Sequence, residues 1–137
     1  MKSVLFTTAE YASVSNDGKL SISGIFDSIQ SNAFPATAPR MMLVAQFKAM
    51  PEESGEIFDM RFQLANIDGE MLVDLSTAGE VPASELGLSV LMNQVVTLNN
   101  LSFETPGAYE FRVLLDGELA ATLPFAVVEV KKPKNTV

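Results

Sequence analysis

The chain contains no cysteine and no histidine. Without cysteine it has no disulfide framework, no thiolate nucleophile and no cysteine-ligated metal. Without histidine it has no imidazole base, no Ser-His-Asp triad and no ordinary zinc or copper site. These two absences exclude most of the common hydrolase mechanisms. The composition leaves open carboxylate, lysine or tyrosine chemistry and binding functions, and we expect no cofactor.

Basic residues are scarce. Nine Lys and Arg stand against seventeen Asp and Glu, which gives a formal net charge of −8. Such a surface repels phosphate, so we expect no binding to nucleic acid and no docking on anionic membranes. Three of the nine basic residues, Lys131, Lys132 and Lys134, lie in residues 131–137. We interpret this segment as a flexible, solvated tail, with a contact point for a partner as the alternative.

Long apolar runs are absent as well. The apolar run at residues 4–6 ends at Thr7 and Thr8, so it is too short for the hydrophobic region of a signal peptide. No stretch approaches the roughly 18 to 20 apolar residues of a membrane span. We therefore expect a cytoplasmic protein. Its 137 residues, 47% hydrophobic and 19% charged, suit a single globular domain over residues 1–130.

Alternating apolar residues are what the sequence has in abundance. Residues two apart project from the same face of a strand, so each alternating run predicts a strand with one buried face. Asp116 and Gly117 separate two such runs near the end of the chain, a strong signal for a tight hairpin turn. The clearest inward sets are Phe58, Met60, Phe62 and Leu64 within residues 57–67, and Tyr109, Phe111, Val113 and Leu115 before the turn.

Turn signals divide the rest of the chain so that about eight strands result. We predict a first hairpin from residues 4–14 and 20–29, bent where Gly24 interrupts the second arm. Pro124 lacks a backbone N–H, so it makes the last strand an edge strand or a bulge. The other assignments are strands at 40–50 and 71–75 and irregular connections at 31–39 and 76–85.

Residues 86–103 are the hardest part of the chain to assign. Leu86, Leu88 and Val90 alternate, and β-branched residues follow at 95–97, so we predict a strand. A helix is the competing assignment for residues 86–95, because leucine and methionine favour helices.

The pattern of short strands predicts an antiparallel β-sandwich with Greek-key connections and immunoglobulin- or fibronectin-like architecture. Residues 103–109, FETPGAY, resemble the tyrosine corner of those sandwiches, in which a tyrosine hydroxyl bonds back to the nearby backbone. In that motif Pro106 and Gly107 form the turn and Tyr109 supplies the hydroxyl. We therefore assign structural roles to these three residues and to Gly117 of the hairpin turn.

Several segments together resemble an uncharacterised bacterial and phage-associated family of short single-domain β-sandwich proteins. They are AEYA at residues 9–12, GKLSISGIFD at 18–27, Phe34-Pro35, Pro39-Arg40, and the closing PGAYEFRVLLDG at 106–117. The resemblance spans nearly the whole chain. It implies the sandwich fold, and it implies no activity.

Some apolar residues fall on strand faces that are expected to be exposed to solvent. Apolar surface on such faces marks protein interfaces more often than ligand pockets, so we predict a protein partner or a homo-oligomer. The alternative is that other parts of the same chain fold back over these faces. The candidate interface residues are Met42, Val44, Ile57, Ile67, Leu91, Val95 and Leu114.

Acidic residues in the turns suggest a second kind of site. If the strands alternate up and down, these turns gather at one end of the sandwich, where hard oxygen ligands can hold Ca²⁺. Turn geometry and solubility are the simpler explanation of the same residues, and no dense Asp-x-Asp-x-Asp run is present. The candidate ligands are Asp17, Glu52, Glu53 and Asp116, while Asp68 and Glu104 are expected at the opposite end.

Two further carboxylates are candidates for chemistry. Asp27 and Asp59 project from predicted strands, and a partly apolar setting at Asp27 favours a perturbed acid. We nevertheless expect a non-enzymatic interaction or structural module that self-associates or belongs to a larger assembly. A loop-end binding domain for Ca²⁺ or a small ligand is the alternative function, and a carboxylate-dependent enzyme is the third.

Overall fold

Nine strands form two packed sheets in the computed structural model, which describes residues 1–131. In chain order the strands are β1 (Lys2–Val14), β2 (Leu20–Phe26), β3 (Ser28–Ser31), β4 (Ala36–Ala49), β5 (Ile57–Asn66), β6 (Met71–Glu80), β7 (Val90–Phe103), β8 (Gly107–Leu115) and β9 (Glu118–Glu129). One turn of 3₁₀ helix, Pro51–Glu53, follows β4. Within residues 1–131 no helix is long and apolar enough to cross a membrane. Apart from Lys131, the predicted basic tail lies outside the described residues.

The first sheet has the order β2-β1-β4-β7 and is antiparallel, while the second has the order β3-β9-β8-β5-β6. The all-β, two-sheet prediction is therefore confirmed. The predictions of about eight strands and of purely antiparallel pairing are wrong, because the segment 20–29 is two strands. It leaves the first sheet at Asp27, and β3 then pairs with β9 in parallel. At the point where the chain passes from one sheet to the other, the N–H of Ala126 donates to the carbonyl of Asp27 at 3.0 Å.

The core lies between the sheets. Phe47 from the first sheet and Phe62 and Phe111 from the second are each no more than 1% exposed. Burial of such a side chain contributes about 1.5 to 3 kcal/mol to folding. The predicted inward sets are confirmed, with Leu115 half-buried and the other seven members buried.

The predicted tyrosine corner is present. The hydroxyl of Tyr109 donates to the carbonyl of Thr105 at 2.6 Å. Its ring packs edge to face against Phe103, with 4.9 Å between ring centroids. Glu104, Thr105 and Pro106 form the turn between them, and Gly107, predicted to belong to the turn, is the first residue of β8. This turn therefore fixes the start of β8 against the end of β7.

Pro124 lies in β9 where one flank of the strand is open. β3 pairs with β9 only from Ala126 to Glu129, so it does not reach Pro124. The N–H of Ala126 points towards β3, and backbone groups two residues apart point the same way. The missing N–H of Pro124 therefore falls on the open flank. β9 lies between β3 and β8, and its pairing with β8 is regular at Pro124, so the prediction of an edge strand or a bulge is wrong for β9 as a whole. Only the stretch around Pro124 lacks a neighbour on one side.

Residues 76–89 differ from prediction. Residues 76–80 belong to β6, and the irregular connection runs from 81 to 89. Gly79 falls in the predicted irregular connection, but it lies in β6 and leaves space for the Phe58 ring. A Cβ at Gly79 would lie 2.6 Å from Cζ of Phe58. Leu86 and Leu88, predicted to lie in a strand, are loop residues that are 85% and 64% exposed. From Val90 onwards the chain is a strand, so the helical alternative is wrong.

The connection predicted at residues 31–39 is also shorter than expected. β4 begins at Ala36, after a cis peptide bond between Phe34 and Pro35. Pro39 lies inside β4, in the part of that strand that precedes its pairing with β1 at Met42. The proline is therefore accommodated where β4 has a neighbour on only one side.

Candidate interaction surface

Met42 and Val44 are not available to a partner, because the chain covers them itself. They are 4% and 0% exposed. Pairing between β1 and β4 ends at Ala9 and Met42, and beyond that point the β1–β2 hairpin lies across the outer face of the first sheet. The prediction that these two residues form an interface is wrong, and the fold-back alternative is right for them. Their covering residues are Ala12, Leu20 and Ile22.

The tip of this hairpin is tied to β7, on the far side of β4. The side-chain amide of Asn93 donates to the carbonyl of Gly18 at 3.1 Å. Gln46 in turn donates to the side-chain oxygen of Asn93 at 2.9 Å. The backbone leaves the extended region at Gly24, whose φ is 72°, and a Cβ there would meet the side chain of Glu10 at 2.9 Å. The predicted interruption of the second arm at Gly24 is therefore present, although the register between β1 and β2 continues past it.

Ile57 and Ile67 are exposed, at 77% and 83%, but they do not share a surface. Ile57 begins β5, and Ile67 follows its last residue. At about 3.3 Å per residue, this places the two side chains at opposite ends of the molecule. They stay predicted contact residues, but no single partner surface joins them.

Leu114 lies on the outer face of the second sheet. It is half-buried and pairs with Leu119, which is 58% exposed. Around these two leucines the face is polar, since Arg61 and Asp74 form a two-pronged ion pair with distances of 2.7 and 2.6 Å. The apolar patch at Leu114 is therefore small.

Leu91 and Val95 lie on β7, the edge strand of the first sheet. Leu91 is 54% exposed and Val95 is half-buried. The fourteen residues of β7, VLMNQVVTLNNLSF, include no charged residue and no proline. Charged residues and proline are what normally protect strand edges against pairing with other chains. β7 is therefore a long strand edge without such protection.

The other sheet edges are better protected. β3 has only four residues. β2 has seven residues, and its backbone is not extended at Gly24, where φ is 72°. β6 carries Asp74 and Glu80. Edges that are short, irregular or charged resist the addition of a further strand. Among the described strands, β7 thus offers the most accessible long edge.

β6 and β7 form the walls of a groove on one side of the sandwich. The groove has a volume of about 290 Å³ and is lined by residues 75–77 of β6, residues 94–97 of β7, and Phe62. None of these lining residues is charged. Two open strand edges and an uncharged groove therefore lie on the same side of the molecule.

The acidic turns are brought together only in part. Glu53 and Asp116 line one cavity, of about 300 Å³, together with Glu56 and Glu118. Asp17 is not among its lining residues. The described residues 1–131 contain no group of three acidic side chains placed to hold a metal ion. Of the four predicted ligands, the structure therefore brings Glu53 and Asp116 to one cavity and leaves Asp17 and Glu52 outside it.

These acidic side chains already have partners. Asp116 accepts the N–H of Asp59 at 2.9 Å. Glu53 accepts the N–H of Met50 at 3.0 Å and the amino group of Met1 at 2.8 Å, and these two contacts, in that order, lower its pKa.

Asp17 and Glu52 lie in different turns. Asp17 accepts from the Ser15 hydroxyl and pairs with Lys19 at 3.2 Å, and both contacts lower the pKa of Asp17. Glu52 is exposed on the 3₁₀ turn. These contacts stabilise turns and give no reason for an ion to bind.

Asp27 and Asp59 are not a pair. Asp27 is exposed, and the other residues that line its cavity include Ala108, Pro124 and Phe125, so its predicted partly apolar setting is confirmed. Asp59 is exposed beside Asp116 at the other end of the β8–β9 hairpin. The expected grouping of Asp68 with Glu104 is confirmed, because both line a cavity of about 310 Å³ near Tyr109. No arrangement of two carboxylates around a common reaction centre results from Asp27 and Asp59.

The alternation of residues does not reveal that β7 is an edge strand with an open flank. The sequence does hold a signal for an unprotected edge, because residues 90–103 contain no charged residue and no proline. The position of the strand within its sheet was not readable from alternation. That position depends on which distant strands pair.

Comparisons with known proteins identify a family, and the structural similarities include a weak one to a DNA-binding enzyme. No curated protein matches the sequence. A solved structure described as Pseudomonas fluorescens alkylpurine DNA glycosylase AlkC bound to DNA containing an abasic site analog aligns with a TM-score of 0.44 and 14% identity. The alignment covers 74% of this chain and 27% of that one, and a similarity this low supports no inference. The profile of one family matches residues 4–128, nearly the whole chain. The chain therefore belongs to the Family of unknown function (DUF6941).

Proposed function

We propose that this protein is a non-enzymatic interaction or structural module that self-associates or forms a subunit of a larger assembly. The observation that carries the proposal is the open flank of β7, which is fourteen residues long and free of charge and proline. A strand edge of this kind presents a row of backbone N–H and C=O groups to which a further strand can bond.

The groove beside β7 adds selectivity to that edge. Backbone hydrogen bonds supply affinity that depends little on sequence, whereas pockets next to an edge select the side chains of the added strand. Here the groove walls are Leu75, Thr77 and Val96 with their neighbours, which suit uncharged side chains. We therefore expect partners that present an extended, uncharged segment.

The proposal is tested by recovering partners from a native lysate with three forms of the protein. Leu91→Lys places a charge on the β7 edge, while Leu119→Lys makes the same change at a similarly exposed leucine on β9. We expect the wild type and Leu119→Lys to recover the same partners and Leu91→Lys to lose them. Equal recovery by all three forms contradicts a role for β7.

The calcium and enzyme alternatives have less support. A calcium site needs several oxygen ligands around one point, and only two of the four candidate residues, Glu53 and Asp116, line the same cavity. A carboxylate enzyme needs two acids held close together, and Asp27 and Asp59 lie apart. Calcium binding stays the alternative function, and we propose no reaction.

We also infer an immunoglobulin- or fibronectin-like arrangement of the sandwich. Two features support this inference. β4 and β7 are neighbours in the first sheet although β5 and β6, which lie between them in the chain, pair with each other in the second sheet. The Tyr109 corner stands at the passage from β7 to β8, where such folds place it.

A further inference from the structure

We propose that the partner at the β7 edge is a second copy of this chain, paired antiparallel along β7 so that the two four-stranded sheets become one continuous sheet. This inference rests on the proposed interaction function and names its partner. The two copies are related by a two-fold axis perpendicular to the sheet. Such a contact uses the same strand twice and closes on itself as a dimer.

The backbone of β7 has bonding capacity for this contact. One flank pairs with β4 over the whole strand, from Ala36 opposite Phe103 to Ala49 opposite Val90. The other flank has no neighbouring strand within residues 1–131. In an antiparallel pair the backbone groups alternate between the two flanks, so about half of the β7 groups point to the open side. A second β7 satisfies them.

Charge selects this edge for contact between identical copies. Each copy carries a formal net charge of −8, so most surfaces of two copies repel each other. β7 carries no charge, whereas β6, on the same side of the molecule, carries Asp74, which is paired with Arg61, and Glu80. The electrostatic cost of pairing two acidic copies strand to strand is therefore smaller along β7 than along β6.

The backbone also limits the register. Asn100 has a φ of 55°, in the left-handed region, so the open flank of β7 is regularly extended only up to Asn99. The regular run is then residues 90–99, whose middle lies next to Val95. An axis beside Val95 places Leu91 of one copy opposite Asn99 of the other. A lysine at position 91 then adds a charge inside the pairing region of both copies.

Sedimentation velocity from low to high micromolar concentration tests the dimer. We expect the wild type and Leu119→Lys to show the same monomer–dimer equilibrium and Leu91→Lys to weaken it by about tenfold or more, the equivalent of about 1.4 kcal/mol. A melting curve for each variant confirms that it folds. A wild type that stays monomeric at high micromolar concentration overturns the proposal. Loss of the dimer in Leu119→Lys but not in Leu91→Lys also overturns it.

Amide hydrogen exchange of the wild type provides a measurement that needs no variant. We expect the β7 amides to exchange more slowly at high than at low protein concentration, while the β6 amides do not change. No concentration dependence in β7 overturns self-pairing. If the chain is monomeric but Leu91→Lys still loses lysate partners, self-pairing fails and the proposed interaction function stands. If Leu91→Lys loses neither contact, both fail.

Discussion

Tyr109 is the residue whose role follows most directly from the sequence. Its hydroxyl donates to the carbonyl of Thr105, four residues earlier, at 2.6 Å, and the residue is 6% exposed. The Pro-Gly turn before a tyrosine was enough to predict this contact, because the interaction is local. Contacts that span few residues are the ones that a sequence motif can specify.

Replacing Tyr109 by Phe removes this hydrogen bond and leaves the ring in place. We expect a loss of about 1 to 2 kcal/mol in the free energy of unfolding, because the partly buried hydrogen bond from Tyr109 to Thr105 is lost. Urea denaturation followed by circular dichroism measures the change. Tyr11→Phe is the matched control, since Tyr11 is 52% exposed, and it should change stability little. Equal losses in the two variants would contradict a special role for the corner.

Arg61 and Asp74 give a pH-dependent contribution at the residue scale. The hydrogen bonds from Arg61 lower the pKa of Asp74 below its ordinary value of 3.8. A carboxyl group with a lowered pKa in the folded state stabilises that state above its unfolded pKa, and the contribution is lost as the pH falls through the folded pKa. Both side chains are well exposed, so the effect is small.

We therefore expect Asp74→Asn to lower the melting temperature slightly at neutral pH. The difference from the wild type should shrink as the pH falls below about 4, and it should also shrink in high salt because of screening. Melting curves over a range of pH and salt measure it. A difference that persists at low pH would show that packing, and not charge, is responsible.

At the scale of elements, the β1–β2 hairpin decides what the first sheet exposes. Met42 and Val44 have the alternation of outward-facing residues, yet the hairpin buries them. Alternation assigns a residue to a face, and it does not say whether that face meets water, another copy or the same chain. The contact between Asn93 and Gly18 spans 75 residues, which no local pattern specifies.

Met42→Ala distinguishes a covered face from an interface. Because Met42 is buried under the hairpin, we expect a loss of about 2 to 5 kcal/mol in the free energy of unfolding and no direct effect on association. Urea denaturation measures the loss, and Ile25→Ala, at an exposed position on β2, is the control. A variant with normal stability and weakened association would mean that the hairpin leaves this face in solution.

Other strands and loops also differ in how far their structure could be predicted from the sequence. The alternation of β5 predicted its inward residues correctly, because one face of that strand packs on the core and the other meets solvent. β6 was predicted too short because Gly79 resembles a turn residue, whereas it gives the Phe58 ring room. Leu86 and Leu88 belong to an alternating apolar pattern, but they are exposed residues of a loop and not of a strand.

For the whole molecule, the distribution of acidic residues argues against a calcium site. We expect millimolar Ca²⁺ to leave the melting temperature unchanged, since ligand binding to the folded state would raise it. An increase that disappears in Asp17→Ala or Asp116→Ala would contradict this expectation. The Asp116 variant needs its own calcium-free reference, because its carboxylate also holds the backbone of Asp59.

The strand order of the two sheets is what the sequence could least specify, and it is also what makes β7 an edge. The most direct measurement is therefore amide exchange of the wild type at low and high concentration, with Leu91→Lys measured in parallel. We predict that exchange in residues 90–99 slows at high concentration in the wild type and stays fast in Leu91→Lys. Unchanged exchange of β7 in the wild type, or slowed exchange confined to another strand, would contradict the assignment of β7 as the self-pairing edge.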